Sequence, residues 1–207
     1  PQMPAPGSLV LPNGGLTPPA LELLHAVTGV PMHLLERARI RPARDNWIRV
    51  PWYRYHRGGA MTVGRTIWFT RKWYDAAGYG DGSPLATWNW LAHLAHETGH
   101  LPQAERFGRH ILGKARYIMA FAAQYAQRAL MLRSDPHDGA PLEFEADHGR
   151  WVLLQLVGDR PLAHPLLHAL HMRDAQAVRA QCHQCASRIA DLSQRYAEHK
   201  RKVLLHT

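Results

Sequence analysis

Leu91-Ala92-His93-Leu94-Ala95-His96-Glu97-Thr98-Gly99-His100 is the run whose reading decides the fold of this chain. If it is helical, positions i and i+4 share a face, so His96 and His100 can reach one divalent ion with Glu97 projecting beside them. Two imidazoles so spaced suit Zn²⁺, which needs a further protein ligand, an open position for water and a carboxylate to take a proton from that water. The flanks agree with a helix. Ser83-Pro84 offers an N-cap and a first-turn proline, and Leu85 to Ala92 can continue it. Leu91, Leu94, Ala95 and Thr98 give it an apolar side, which predicts burial and weighs against two solvated histidines on an ordinary surface helix. Pro102 predicts that the helix ends or bends just after His100.

A third ligand is expected downstream, in Pro141-Leu142-Glu143-Phe144-Glu145-Ala146-Asp147-His148, read as a second helix running towards Val157. Glu143 and Asp147 are four apart, so one carboxylate can bind the metal while the other hydrogen-bonds a ligand imidazole and fixes its tautomer. Glu145 lies roughly 200° around the helix from Glu143 and competes as ligand only if the helix phase differs. The neighbours Phe144, Ala146, Trp151, Val152 and Leu153 predict burial rather than a solvated acidic face.

His-Glu-x-x-His followed some tens of residues later by Glu-x-x-Ala-Asp resembles the gluzincin pattern of zinc metallopeptidases. With Ala60 to Phe69, Leu91 to Gln103 and Pro141 to Asp147, the chain looks like a small bacterial metallopeptidase module, similar to the C-terminal effector domain of a VgrG-type spike protein of type VI secretion systems. The likeness spans most of the chain, and its specific motifs about a third of it. It implies that His96, His100 and Glu143 are zinc ligands, Glu97 the general base and Asp147 the residue that orients an imidazole. The chain departs from the pattern at His93, one turn before His96 on almost the same face; only His96 and His100 flank Glu97 correctly.

The resemblance also implies a toxin delivered through a type VI system into a target cell, acting in its periplasm. The partners so implied are a protein or peptide substrate, an upstream spike or delivery domain, and a cognate immunity protein. The opening residues 1–15, rich in Pro and Gly, are expected to be a linker from that upstream domain, with the metallopeptidase domain over 16–207.

At 207 residues the chain can bury its own core without staples. No run of about 18 apolar residues predicts a membrane span, and the N-terminal stretch does not read as a secretory signal. A formal charge of +9 favours anionic surfaces. Arg37, Arg39, Arg41 and Arg44 cluster, as do Lys200, Arg201 and Lys202, but no sequence-specific nucleic-acid module is expected. Cys182 and Cys185 are read as two helical thiols, since no second ligand pair accompanies them.

Thr17-Pro18-Pro19 predicts a helix to Gly29, and Pro31 a short one to about Ala38. Trp47 to Val50 and Met61 to Thr70 have strand composition, joined by Gly58-Gly59, and Gly78 to Gly82 reads as a loop. After Gly108 a long helix through Ile118, Met119, Phe121, Tyr125 and Leu130 is expected to pack into the core. Asp174 to Leu205 reads as a long helical stretch that either covers the cleft or completes the core. The expected class is therefore α+β, mainly helical and zincin-like, with a small sheet packed on the metal-binding helix. Ala60 to Phe69 is the candidate edge for an extended substrate. Tyr125, His148, His164, His168 and His171 are candidates to steady an oxyanion. The rival functions are a peptidoglycan-directed zinc amidase or peptidase, and a non-catalytic basic binding module.

Overall fold

A computed structural model describes residues 9–43, 59–70, 74, 84–108, 110–131 and 140–205. Its elements are α1 (Pro18–Thr28), α2 (Met32–Arg37), β1 (Arg39–Pro42), β2 (Ala60–Val63), β3 (Thr66–Phe69), α3 (Pro84–Phe107), α4 (Ile111–Met131), α5 (Pro141–Ala146), α6 (His148–Val157), α7 (Pro165–His171), α8 (Ala175–Gln184) and α9 (Ala186–Leu205). A 3₁₀ turn, Pro161–Ala163, precedes α7. The described residues are mainly helical with one small sheet, the α+β arrangement the sequence predicts.

Helix α3 is the spine: α1, α2, α4, α5, α6, α7 and β2 all pack on it. It stays in place because Trp90, Leu91, Leu94 and Ala95 sink into the core. Pro102 does not end it. The helix runs a further turn and more to Phe107, because Leu101, Gln103 and Ala104 are buried and that packing offsets a cost of about 3 kcal/mol for an interior proline. Helix α1 begins at the expected prolines and stops at Gly29, whose φ of 69° suits glycine and whose N–H donates to the His25 carbonyl.

The sheet has the order β1-β3-β2, with β1 parallel and β2 antiparallel to β3. Met61 to Thr70, expected as one strand, is instead the hairpin β2–β3. Gly64, at a φ of 63°, supplies the positive φ that a two-residue turn needs. Ile40, Ile67 and Phe69 face the core, and Phe69 lies 4.9 Å from Trp90, ring centre to ring centre. Strand β2 is left at the edge, against α3. The expectations for Trp47 to Val50, Gly78 to Gly82 and the Ser83 cap lie outside the described residues.

Three further differences concern packing. Leu9 and Val10, inside the expected 1–15 linker, are fully buried, and Val10 pairs with Leu16, so both belong to the core. The helix expected from Pro141 to Val157 is two, broken at Asp147. Helix α4 packs into the molecule through Tyr117, while Ile118 and Met119 face outward. The tail completes the core: α9 lies on α6, with Ile189, Leu192 and Tyr196 buried and the Tyr196 hydroxyl donating to the Phe144 carbonyl at 2.5 Å. Cys182 and Cys185 are free thiols at the end of α8, and burial pushes the Cys182 thiol up to about 12.

Candidate metal centre

His96, Glu97 and His100 come from one turn of α3. The His96 and His100 rings stand 5.0 Å apart, centre to centre, at 86° to each other. Glu143 comes from α5, which Pro141 starts, and Asp147 from the α5–α6 break. The close approach of these segments depends on Gly99. A Cβ there would stand 2.3 Å from the Ala146 carbonyl oxygen and 2.7 Å from its Cα, so any side chain would force the backbones apart.

The approach brings His96, His100 and Glu143 together, with one donor atom from each lying within 4.8 Å of the others. His96 Nε2 is 3.1 Å and His100 Nε2 3.7 Å from Glu143 Oε2. Two ligands of a tetrahedral ion at roughly 2.1 Å stand about 3.4 Å apart, so the spacing fits a small divalent cation. Donor chemistry fits as well. His96 Nδ1 is 3.0 Å from Asp147 Oδ1, and His100 Nδ1 is 2.9 Å from Gln103 Oε1. The Gln103 amide nitrogen donates to the Leu142 carbonyl at 2.8 Å, which leaves Oε1 as the acceptor facing His100. Both Nδ1 atoms therefore donate to these acceptors, which leaves each Nε2 facing Glu143 as the ring atom that would bind a cation.

Other elements hold the surrounding side chains. From α4, the Tyr125 hydroxyl donates to Glu143 Oε1, and Phe121 packs edge-on against His100 at 5.3 Å. From β2, Thr62 Oγ1 lies 2.8 Å from Glu97 Oε2 and 3.1 Å from the Glu97 carbonyl, anchoring that carboxylate. Arg150 Nε pairs with Asp147 Oδ1 at 2.6 Å. The His96 side chain is 13% exposed, His100 6% and Glu143 8%, so the cluster is nearly closed over.

Burial works against charge on His96, but hydrogen bonds to Asp147 and Glu143, aided by the Glu97 carboxylate, prevail and raise its pKa to about 10. Without a metal, His96 therefore carries two protons at neutral pH. For His93, burial wins over the pull of Glu97 and lowers the pKa.

Among the described residues the metal-competent group comprises His96, His100 and Glu143, without His93. Glu145 turns away and pairs with Arg106 at 2.8 Å, as its helical phase predicts. Of the oxyanion candidates, Tyr125 reaches the cluster. His148 is bound to the Thr28 carbonyl at 3.3 Å, His164 caps α7 at Leu166, and His168 and His171 line a small cavity beside Thr87 and Trp88. A cleft of about 310 Å³ bordered by Glu145, His148, Tyr196 and Lys200 contains none of the cluster residues.

Gln103 and Thr62 were not foreseen. Gln103 follows His100 by three residues, a spacing that shares its face, but a helix stopped by Pro102 would have excluded it. Thr62 sits 35 residues from Glu97, and no local pattern marks that pairing. Compared with protein-family models, curated proteins and solved structures, the chain matches none.

Proposed function

We propose that the protein is a zincin-like zinc metallopeptidase that hydrolyses peptide bonds. The observation that carries this reading is the convergence of His96 Nε2, His100 Nε2 and Glu143, with both Nδ1 atoms committed and the Glu97 carboxylate on the same helical turn. Two nitrogens and one carboxylate oxygen suit zinc, as in catalytic sites that keep a fourth position open. His96, His100 and Glu143 would hold the ion, which when bound would supply Lewis acidity at the scissile carbonyl and lower the pKa of water towards about 7.

The protein's own groups do the rest. Glu97, held at Oε2 by Thr62, accepts the proton of the attacking water and returns it to the leaving amine nitrogen. Asp147 and Gln103 keep both ligand rings oriented. Tyr125 holds Glu143 Oε1, so that Oε2 faces the imidazoles. Among the described residues β2 is an edge strand beside Glu97, where an extended polypeptide can add as a further strand and lie across the site. The resemblance to VgrG-type effector domains adds the biological reading of a toxin delivered by a type VI system and acting in the periplasm of its target.

The test compares wild type with Glu97→Gln. Both should bind near one zinc per chain by elemental analysis, and the variant should lose about 10²-fold or more of its rate on an unfolded protein substrate. Directing both proteins to a bacterial periplasm should kill with wild type alone. Equal proteolysis and equal toxicity would remove the enzymatic reading.

A further inference from the structure

The outward face of α4 has no use in the proposed chemistry, yet it is strongly patterned. Ile111 is 85% exposed, Leu112 73%, Met119 69% and Ile118 50%. At helical periodicity these four fall within an arc of about 120°, centred opposite the side on which Tyr117 packs inward. Lys114 and Arg116, both exposed, lie about 40° beyond either edge of that arc. The sequence holds no Asp or Glu between Glu105 and Asp135.

We propose that α4 is an interfacial helix that seats this face on an anionic lipid surface. Apolar side chains bordered on both flanks by cations match a bilayer interface, where the apolar stripe enters the acyl boundary and the cations meet anionic headgroups. A second copy of the chain fits less well. Two such faces would oppose cation to cation, with no acid on α4 to balance them. The helix lies on the bilayer and does not cross it, since among the described residues no helix is long and apolar enough to span. Lys114 lies beside the β2–β3 turn: a Cβ on Gly64 would stand 3.1 Å from its Cε. The flank of α4 on the Lys114 side carries Phe121 and Tyr125 onto His100 and Glu143. Docking therefore brings the metal centre to the membrane surface, where its substrates would be lipid-proximal polypeptide segments.

The experiment is co-sedimentation of the 207-residue Glu97→Gln protein with vesicles of phosphatidylcholine, with and without phosphatidylglycerol. It reads binding without hydrolysis, so its outcome is independent of whether the site cuts peptides. The expected result is binding to the anionic vesicles alone. Ile118→Asp/Met119→Asp and, separately, Lys114→Glu/Arg116→Glu should each weaken it by about tenfold or more. Ile111→Ser/Leu112→Ser, at the most exposed positions, carries the same test should the aspartates disturb folding by circular dichroism. Three outcomes overturn the proposal: no binding to anionic vesicles, undiminished binding in the apolar-face variants, or a solution dimer that those variants dissolve.

Discussion

Gln103 Oε1 lies 2.9 Å from His100 Nδ1 while the Gln103 amide nitrogen donates to the Leu142 carbonyl. One fully buried side chain thus fastens a ligand ring to the backbone that presents Glu143. Gln103→Ala should lower zinc affinity by about 10–100-fold. Competition with a chromophoric chelator measures this, and unchanged far-UV circular dichroism would assign the loss to the site.

Glu143→Ala should abolish stoichiometric zinc, whereas Glu145→Ala should retain it. The Arg106–Glu145 pair has side chains 57% and 36% exposed, so its loss should change stability by less than about 1 kcal/mol. Elemental analysis and urea denaturation of both variants check the contrast.

His96 makes the protein's response to pH depend on metal. In the chelator-treated protein its pKa is raised from 6.5 to about 10. A raised folded-state pKa gives stability that is fully present below the unfolded value and lost as pH rises through the folded one. The melting temperature of metal-free protein should therefore fall between about pH 7 and pH 10. Zinc must displace the Nε2 proton, so binding near pH 7 should release about one proton per ion. Calorimetry in buffers of different ionisation enthalpy reads that number, and zinc-loaded protein should instead lose stability in acid.

Gly99→Ala should strain the contact on which the site depends, because its Cβ would meet the Ala146 backbone at 2.3 Å. A destabilisation of about 3 kcal/mol is expected, together with weaker zinc binding. Chemical denaturation and metal content are the two readouts.

Where the site was legible in the sequence, the geometry is local. The i and i+4 spacings of His96 with His100 and of Glu143 with Asp147 survive any packing, even though the second helix breaks at Asp147. Glu143 was separable from Glu145 by helical phase alone. The misses share a cause: tertiary context outweighed a local signal. Burial of Gln103 and Ala104 carried α3 past Pro102 and so brought in a tether that a stopped helix would have excluded. Apolar residues nearly all round α4 hid which side faces inward, since periodicity cannot separate a core face from an interfacial one. Gly64 falls inside the strand expected over Met61 to Thr70, but its positive φ folds that stretch into a hairpin and thereby sets Thr62 against Glu97. Leu9 and Val10, in a Pro/Gly-rich opening, were indistinguishable from linker until the core claimed them.

The separation of the ligands along the chain has a consequence for biosynthesis. His96 and His100 leave the ribosome together, but Glu143 follows more than forty residues later. Until it emerges, a nascent chain offers an ion only a bidentate grip and lacks the carboxylate that completes the donor set. The donor set on which the proposed function rests thus closes only once α5 has been made and docked on α3.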